Sequence, residues 1–494
     1  MSDSAVGFRS ERGPVLIALM LSTALVALDS TIIATAVPSI VKNVGGFSEF
    51  PWLFSIYLLA QAVTVPVYGK LADLFGRKPV ILFGIALFLI GSLLCGLAWN
   101  MGVLIAFRAV QGLGAGAVQP ISITIVGDLY TLSERAKVQG YIASVWGVAA
   151  VVGPALGGVF SEYVTWRWIF FVNLPVCVLA AAMLLRTFHE TVTPRMPSID
   201  YAGAAALTSG CGLLILAVLE GGQSWAWLSA TSLVIVAAGL VLLALFVGLE
   251  RRAAEPVLPL WVFSRRLLLT SSLAAACVGA IVLGLTSYIP TYVQDVLGTG
   301  PVVAGFALAT LTIGWPIAAS QAGKLYLQIG FRNCALIGTM PVLAGTACLI
   351  TLGAHSHVWQ VAVYCFLIGL GMGLIVAPTL IAAQSSVGWT ERGVVTGNNL
   401  FCRSLGSAVG VAVFGAIANA TLGHGGATGT THFAGGLVVA TRHVFVGVTV
   451  LALVMTVVLT FVPARPDLAG SGAAADGAAA DVAAARQPAD RGPA

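Results

Sequence analysis

The stretch Gly69-Lys70-Leu71-Ala72-Asp73-Leu74-Phe75-Gly76-Arg77-Lys78 decides the fold of this chain, because it places a cluster of charge between two long apolar runs. It holds four of the chain's 43 charged residues, which are 24 basic and 19 acidic. The flanking runs, roughly 51–68 and 79–98, are each long enough to cross a bilayer. The stretch is therefore predicted to be a tight polar turn between two membrane-spanning helices.

Five residues give this turn its character. Gly69 and Gly76 are expected to relax the backbone at its two ends, and Asp73 offers a carboxylate between them. Arg77 and Lys78 place positive charge at one membrane face. Cytoplasmic turns commonly carry Lys and Arg, so the cations alone are also consistent with an ordinary topology signal. The glycine pair and the acid favour a gating element.

The predicted partner of this turn is the helix that begins near Val394. We expect Asp73 to interact with the positive N-terminal end of that helix and so to hold an inner gate shut. Arg77 is expected to pair with a cytoplasmic acid.

The composition indicates a polytopic helical membrane protein. Hydrophobic residues make up 58% of 494 residues and charged residues only 9%. The net charge of +5 is not a nucleic-acid signal, because the cations lie singly or in pairs at the ends of apolar runs. The eight cysteines fall in or at the ends of these runs and show no disulfide or zinc spacing.

The apolar runs predict fourteen spans. If the N-terminus is cytoplasmic, the inner segments hold 19 of the 24 cations, the outer loops hold three and the spans hold two. This asymmetry satisfies the positive-inside rule for an even number of spans with both termini in the cytoplasm. The runs lie near 14–38, 51–68, 79–98, 102–127, 138–160, 168–186, 202–219, 228–249, 266–289, 302–322, 334–353, 359–384, 395–419 and 441–463.

A weak internal repeat divides the chain into two halves. Residues 323–332 fall between spans ten and eleven and match the charged turn at both glycines and the Lys-Leu pair, with Leu327 in the place of the acid. Two six-helix bundles with a two-helix insertion between them follow, an all-α integral membrane fold that suits a carrier. The predicted units are a cytoplasmic tail (1–13), an N-terminal bundle (14–186), a linker with the two extra helices (187–265), a C-terminal bundle (266–463) and a disordered cytoplasmic tail (464–494). The two extra helices are expected to flank the bundle without lining its cavity.

Further motifs lie within the spans. They are Leu28-Asp29-Ser30-Thr31-Ile32-Ile33 in span one, 104–116 (LIAFRAVQGLGAG) in span four, Gly147 and 153–158 (GPALGG) in span five, and 166–175 (WRWIFFVNLP) in span six. Together with the charged turn they resemble the signature set of the major facilitator superfamily, specifically its fourteen-span drug:proton antiporter branch. The resemblance covers about residues 15 to 463.

The resemblance implies a proton-coupled secondary exporter of amphipathic drugs or antibiotics that works by alternating access. In this family the span-five motif is associated with export, and here it comprises Gly147, Gly153, Pro154, Gly157 and Gly158. By their own physics, glycines at this spacing allow close helix approach and the proline bends the span, so ordinary packing is the alternative. The implied protein is a monomer of the cell membrane that uses the proton gradient and no cofactor, and the sequence has no phosphate-binding Gly-Lys-Ser/Thr loop.

Three charges lie deep in the apolar runs: Asp29, Arg108 and Arg403. Asp29 lies fifteen residues beyond the inner end of span one, about 22 Å up at about 1.5 Å per residue. Arg108 lies six residues below the outer end of span four, which places it about 21 Å up in a core about 30 Å thick. The equal depths predict a pair in which Asp29 carries the coupling proton and rocking of the halves brings Arg108 to it or away from it. A fixed structural salt bridge is the alternative.

Polar and aromatic side chains within the spans are candidates for the substrate cavity. They could stack on or hydrogen-bond a hydrophobic cation, although interfacial anchoring is the common role of such aromatic residues. For Arg403, structural anchoring and substrate contact are equally consistent with its position. No metal site is expected from His355, His357, His424 and His432, since no carboxylate or cysteine accompanies them. The cavity candidates are Tyr57, Gln61, Gln119, Trp146, Tyr288, Trp315, Asn398 and Arg403.

Other functions remain open at this point. An enzyme would need acid, base or metal ligands clustered at one depth, and three deep charges, two of them Arg, supply no such cluster. A membrane sensor without transport is the alternative from another class. Within transport, a dedicated exporter of one metabolite, lipid or siderophore needs the same scaffold and coupling as a broad drug exporter. The expected partners are small amphipathic or cationic substrates, protons and the lipid bilayer.

Overall fold

The computed structural model describes residues 7–45, 49, 52–190, 200–221, 225–226, 228–253, 256–423 and 430–464. Fourteen of its helices are long and apolar enough to span a membrane, which confirms the predicted number. Most of the predicted C-terminal tail lies outside these ranges. The spanning helices are α1 (Gly13–Val44), α2 (Trp52–Phe75), α3 (Arg77–Gly96), α4 (Met101–Leu129), α5 (Leu132–Val159), α6 (Trp168–Thr187), α7 (Tyr201–Glu220), α8 (Ala230–Glu250), α9 (Arg266–Thr291), α10 (Pro301–Ile329), α11 (Phe331–Ile350), α12 (Val358–Ser385), α13 (Arg392–Gly423) and α14 (Thr430–Thr460).

Helices are the expected solution in a bilayer, because each helix satisfies its own backbone hydrogen bonds. α5 and α9 each end in a π-helical turn, Phe160–Val164 and Tyr292–Val296 respectively. A short helix, Trp261–Ser264, precedes α9. All of these elements are helical, so the fold class agrees with the sequence.

The charged turn is shorter than predicted. α2 continues through Phe75 and α3 begins at Arg77, so Gly76 alone separates the two helices, with φ 94°. The prediction that Gly69 relaxes one end of a ten-residue turn is wrong, because Gly69 is helical. The span was predicted to end where the charged residues Lys70 and Asp73 lower the hydropathy, but the helix continues through them into the aqueous phase. In the second half Gly330, with φ 87°, separates α10 from α11 in the same way.

Each half has its own apolar core. In the N-terminal half α3 and α2 pack on α4, and α1 packs on α5 and α6. In the C-terminal half α10 and α11 pack on α12, and α9 packs on α13 and α14. Phe88 and Ile121 belong to the first core, and Ile281 and Met372 to the second, and all four are fully buried.

The two inserted helices lie beside the bundle. α7 and α8 approach closely at Gly210 and Gly239, where an added methyl group on either would lie 3.2 Å from the other's carbonyl oxygen. α7 packs against α2 and α13, and Leu207 shares a buried cluster with Val63 and Val395. α8 is the most exposed of the spanning helices, which is the pattern of a lipid-facing surface. The insertion therefore touches both halves from the outside.

The halves meet at the end of the bundle that carries the two glycine turns. There α2 packs on α13 and α5 packs on α10. An added methyl group at Gly69 would lie 2.5 Å from the Gly393 carbonyl oxygen, and one at Gly323 would lie 2.7 Å from the Ala136 Cβ. The helix backbones are thus in close contact at this end, and the structure is closed there. By the charge asymmetry of the sequence, this is the end expected to face the cytoplasm.

Candidate coupling and gating sites

Asp29 and Arg108 form a buried ion pair between α1 and α4. Arg108 Nη1 donates to Asp29 Oδ2 at 2.6 Å, and both side chains are 1% exposed. Gln111 Nε2 donates to Asp29 Oδ1 at 2.8 Å, and Asn173 Nδ2 donates to the same oxygen at 3.4 Å. Every recorded partner of the Asp29 carboxylate is therefore a donor, which an ionised carboxylate can satisfy.

The guanidinium of Arg108 has further partners besides Asp29. Its Nε donates to the Leu53 carbonyl oxygen at 3.2 Å, and Nη1 also donates to Gln111 Oε1 at 2.8 Å. The Tyr57 ring lies beneath it, with 4.2 Å from Cζ to the ring centroid. Ser92 Oγ accepts from Gln111 Nε2 at 2.7 Å and so ties α3 into the network. The depths counted from the sequence placed Asp29 and Arg108 at one level, and in the structure they are in contact.

A second site lies at the closed end of the bundle. Asp73 Oδ1 accepts from the Gly393 N–H at 2.9 Å, and Oδ2 accepts from the Val394 N–H at 2.8 Å. These two N–H groups belong to the first turn of α13, which has no intrahelical acceptors for them. The contact expected between Asp73 and the helix near Val394 is present. A carboxylate of one half thus caps a helix of the other.

Arg77 lies at the centre of the same cluster and is fully buried. Its Nη2 is 3.0 Å from Asp73 Oδ1, and its Nε donates to Asp128 Oδ2 at 2.8 Å. Asp128 Oδ1 in turn accepts from Arg392 Nη1 at 2.9 Å. The Arg77 Cζ lies 3.7 Å from the ring centroid of Trp389. Charges of alternating sign therefore run from α2 across α4 to α13 and join the two halves.

Glu190, an acid of the linker after α6, caps the start of α3 at this turn. Glu190 accepts from the backbone N–H groups of Arg77 at 2.8 Å and of Lys78 at 3.0 Å, which are the first two donors of α3. Lys78 Nζ donates to the carbonyl oxygens of Leu185 at 2.9 Å and Phe188 at 2.6 Å, at the end of α6. Lys78 therefore fastens the turn to its own half.

Comparison with known proteins agrees with this architecture. The sequence profile of the Major Facilitator Superfamily matches residues 19–411. The chain belongs to the major facilitator superfamily. It is 35% identical over 404 residues to "Multidrug resistance protein 3" of Bacillus subtilis, covering 82% of this chain and 79% of that protein. It is 34% identical over 424 residues to "Multidrug transporter protein MdtP" of the same organism, covering 86% and 78% respectively.

Two further comparisons are with a fungal efflux pump and a human transporter of known structure. "Efflux pump dotC" of Dothistroma septosporum is 34% identical over 405 residues, which cover 80% of this chain and 70% of that protein. The crystal structure of the human organic anion transporter MFSD10 (TETRAN) superposes with a TM-score of 0.65 over 91% of this chain and 99% of that one. Its identity of 16% supports a shared fold alone. Relatives and family are transporters, so this major facilitator is a multi-pass membrane transport protein.

The cavity candidates of this transporter fall into two groups. Tyr57 and Asn398 are 1% exposed and so do not face a cavity in this conformation. Tyr57 lies under Arg108, and Asn398 Nδ2 donates to Ser272 Oγ at 2.7 Å between α13 and α9. The half-buried group comprises Gln61, Gln119, Trp146, Tyr288, Trp315 and Arg403.

Two contacts link members of the half-buried group. Gln61 Nε2 donates to Gln119 Oε1 at 3.2 Å, between α2 and α4. Arg403 Cζ lies 5.3 Å from the centroid of the Trp315 ring, between α13 and α10. Of the four histidines considered from the sequence, His424 and the His432 side chain lie outside the part of the chain that the structure describes.

The export motif of span five lies where α5 passes α1 and α10. An added methyl group at Gly147 would lie 3.3 Å from the Thr312 carbonyl oxygen of α10. At Gly153 it would overlap the Thr31 hydroxyl of α1. Thr31 Oγ1 donates to the Ala149 carbonyl oxygen at 2.9 Å. The motif therefore sets close contacts on both sides of α5.

The remaining residues of this motif differ from one another. Gly157 is buried, whereas an added methyl group at Gly158 would meet nothing within 4 Å. α5 continues through Pro154, whose side chain lies outside the described part of the structure. Gly158 is thus the one glycine of the motif for which the described surroundings show no packing requirement.

Several residues of the two sites were not identified from the sequence. Gln111 and Asn173 lay within the quoted motifs of spans four and six, and Gln111 follows Arg108 by one helical turn, which was a usable signal. Asp128 and Glu190 were detectable only as acids near the inner ends of spans four and six. Arg135 gave no signal, although it is buried and its Nη1 donates to Ser385 Oγ of the other half at 2.8 Å.

Proposed function

We propose that this major facilitator is a proton-coupled exporter of amphipathic compounds, drugs or antibiotics among them, which works by alternating access. It exchanges protons for substrate and needs no cofactor. We further propose that it acts as a monomer in the cell membrane with both termini in the cytoplasm. The names of its relatives support efflux, and the distribution of Lys and Arg supports the orientation.

The observation that carries the proposal is the Asp29–Arg108 pair. An ionised carboxylate deep in a membrane protein is costly and marks proton relays in transporters. Here it faces a guanidinium that cannot deprotonate, so a proton can exchange only on the acid. Loss of the Arg108 contact would leave Asp29 buried without its counter-ion and favour uptake of a proton.

Rigid rocking of the halves does not separate this pair. Asp29, Arg108, Gln111 and Asn173 lie on α1, α4 and α6, all of which belong to the N-terminal half. The expectation that rocking brings Asp29 and Arg108 together or apart therefore needs correction. Exchange requires a change within the half, either in α1 or in the Arg108 side chain.

The export motif offers a route for that change. α5 packs on α10 of the other half and on α1 of its own half. Its contact with α1 at Gly153 involves Thr31, which lies two residues from Asp29. Displacement of α5 during rocking is thus transmitted to α1 next to the coupling acid. The closed end must also open once in each cycle, which breaks the Asp73 contacts with α13.

The test begins with a susceptibility panel of expressing and non-expressing cells, with and without an uncoupler. The compound with the largest shift is then loaded into proteoliposomes, and its efflux is driven by a pH gradient. Asp29→Asn should abolish pH-driven efflux while binding persists, because the amide keeps the shape without titrating. A double variant, Asp29→Asn with Arg108→Gln, removes the unpaired cation that the single variant leaves.

The double variant separates coupling from structure. If the pair is only a structural salt bridge, removal of both charges should restore pH-driven efflux along with stability. If Asp29 carries the proton, the double variant should be stable but uncoupled. Normal pH-driven efflux by either variant would assign the coupling proton to another group.

The route through α5 predicts unequal effects of two matched substitutions. Gly153→Ala places a methyl group on Thr31 and should lower the efflux rate at least about tenfold, since close small-residue contacts tolerate little added volume. Gly158→Ala, in the same motif, meets open space and should leave efflux within about twofold of wild type. Efflux rates are compared at equal amounts of reconstituted protein, and equal rates for the two variants would reject the route.

A further inference from the structure

Arg403 is a deep cation without a charged or hydrogen-bonding partner among the described side chains. It lies on α13, eleven residues from the start of that helix, which is about 16 Å along the helix axis. Arg403 as a residue is half-buried, and its guanidinium contacts the Trp315 ring, with 5.3 Å from Cζ to the ring centroid. A charge at this depth needs a counter-ion, a wet cavity or both.

The Arg403 side chain lies at the surface that the C-terminal half presents to the N-terminal half. α13 packs on α2 and α10 packs on α5, so these two helices mark opposite edges of the surface that the C-terminal half presents to the N-terminal half. Between them lie α9, which packs on α13, and α12, which packs on α10. A guanidinium from α13 over an indole from α10 therefore crosses that surface and faces the N-terminal half.

No acid of the C-terminal half is placed to neutralise Arg403. Residues 266–463 contain only two acids, Asp295 and Glu391. Asp295 lies in the π-helical turn after α9, and Glu391 directly precedes α13, so they occupy opposite membrane faces. Asp29, the deep acid of the other half, is held by Arg108 at 2.6 Å. The three deep charges therefore leave one net positive charge in the membrane interior.

We propose that Arg403 and Trp315 form a recognition site for the anionic group of an aromatic substrate, a carboxylate or sulfonate on an apolar ring system. The guanidinium fork matches the two oxygens of such a group, and the indole supplies an apolar face for the ring. This inference rests on the proposed export function and names its substrate class. It reverses the preference for hydrophobic cations that the sequence suggested.

The experiment compares three probes that share the naphthalene ring system and differ in charge: the anion 1-naphthoate, the neutral 1-naphthamide and the cation 1-naphthylmethylammonium. Binding of each radiolabelled probe to the purified full chain in neutral detergent is measured by equilibrium dialysis, without a pH gradient. The wild-type protein should bind 1-naphthoate at least about tenfold more tightly than 1-naphthamide, because hydrogen bonds to a charged group are the stronger kind. The ammonium probe should bind most weakly.

Three variants test the assignment to this pair. Arg403→Gln should reduce 1-naphthoate binding to the level of 1-naphthamide, while Arg403→Lys should keep part of the preference for the anion. Trp315→Phe retains a ring and should weaken all three probes alike. Arg265→Gln is the matched control, since Arg265 also lies over a tryptophan, 4.4 Å from the Trp261 ring centroid, but is exposed directly before the start of α9.

The outcomes are decisive even if Arg403→Gln does not fold. Equal binding of 1-naphthoate and 1-naphthamide by the wild-type protein overturns the inference without any variant, and so does an anion preference that survives in Arg403→Gln. Efflux driven by a pH gradient, with no anion preference, would reject this site and leave the exporter function standing. An anion preference in a protein that shows no pH-driven transport would support this site and reject the proton-coupled exporter function.

Discussion

The two glycine turns at the closed end of the bundle share a geometry and differ in chemistry. Each turn contacts the first residues of a helix from the other half: the first turn contacts α13 and the second contacts α5. Just before the first turn, Asp73 of α2 accepts two N–H groups of α13. In the second turn the matching residue, Leu327, is 52% exposed, and Tyr326 donates to the Leu132 carbonyl oxygen instead.

The residue that follows each glycine differs in the same way. Arg77 of the first turn is buried among Asp73 and Asp128, whereas Phe331 of the second turn stacks on Tyr326 with ring centroids 4.7 Å apart. α5 carries its own N-terminal acid, because Glu134 accepts from the Thr131 N–H at 2.9 Å. The acid of the first half thus caps α13 from outside that helix, whereas α5 carries its own capping acid. The first contact depends on charge and the second on aromatic packing.

The largest loss of efflux is expected for substitution of Gly69, because a backbone atom lies against this glycine, whereas a side-chain atom lies against the matching Gly323. Gly69→Ala meets the Gly393 carbonyl oxygen, which no side-chain change can remove, and should reduce efflux more than tenfold, since backbone contact leaves little room to adjust. Gly323→Ala places its methyl group against the Cβ of Ala136 and should also lower efflux. The double variant Gly323→Ala with Ala136→Gly removes that side-chain contact and should restore efflux. Efflux in proteoliposomes and labelling of a cysteine placed at the closed end measure both effects, and full activity of Gly69→Ala would contradict the close contact.

A smaller loss is expected for Asp73→Asn. The amide can accept only one of the two N–H groups and turns a donor toward the other, so the closed state should lose about 1.5–3 kcal/mol. Efflux should fall about tenfold or more at unchanged protein levels. The control is Leu327→Asn at the matching exposed position, which should be silent. Undiminished efflux by the Asp73 variant would remove its gating role.

The smallest effect is expected for Tyr326→Phe. This change removes one neutral hydrogen bond to Leu132 and keeps the stack on Phe331, so the loss should be about 1 kcal/mol. The efflux rate should change by a factor of about five or less, well below the effect of Asp73→Asn. A larger loss of efflux in Tyr326→Phe than in Asp73→Asn would mean that the second turn contributes more to the closed state than the first.

The sequence allowed prediction of features that depend on distance along the chain. Fourteen spans, the two glycine turns, and the depths of Asp29 and Arg108 all follow from counting residues at a fixed rise per residue. The contact between Asp73 and α13 was expected from a lone acid in a short turn at that membrane face, with support from the family resemblance.

Features that depend on the rotation of helices were missed. Gln111 and Asn173 contact Asp29 only because α4 and α6 turn these faces toward α1, and Tyr57 lies under Arg108 for the same reason. The position of Gly69 within a helix was missed because charge was taken as the end of a span. That Arg403 reaches Trp315 could not be foreseen either, since α13 and α10 are separated by other helices.

The central claim is that Asp29 exchanges the coupling proton, and the most direct measurement reverses the driving force. Proteoliposomes containing the full chain and a pH-sensitive dye are given a gradient of transported substrate and no initial pH gradient. The wild-type protein should move protons against the substrate flow, whereas Asp29→Asn, alone or with Arg108→Gln, should pass substrate downhill without moving protons. Equal proton movement in wild type and in the Asp29 variants would contradict the account.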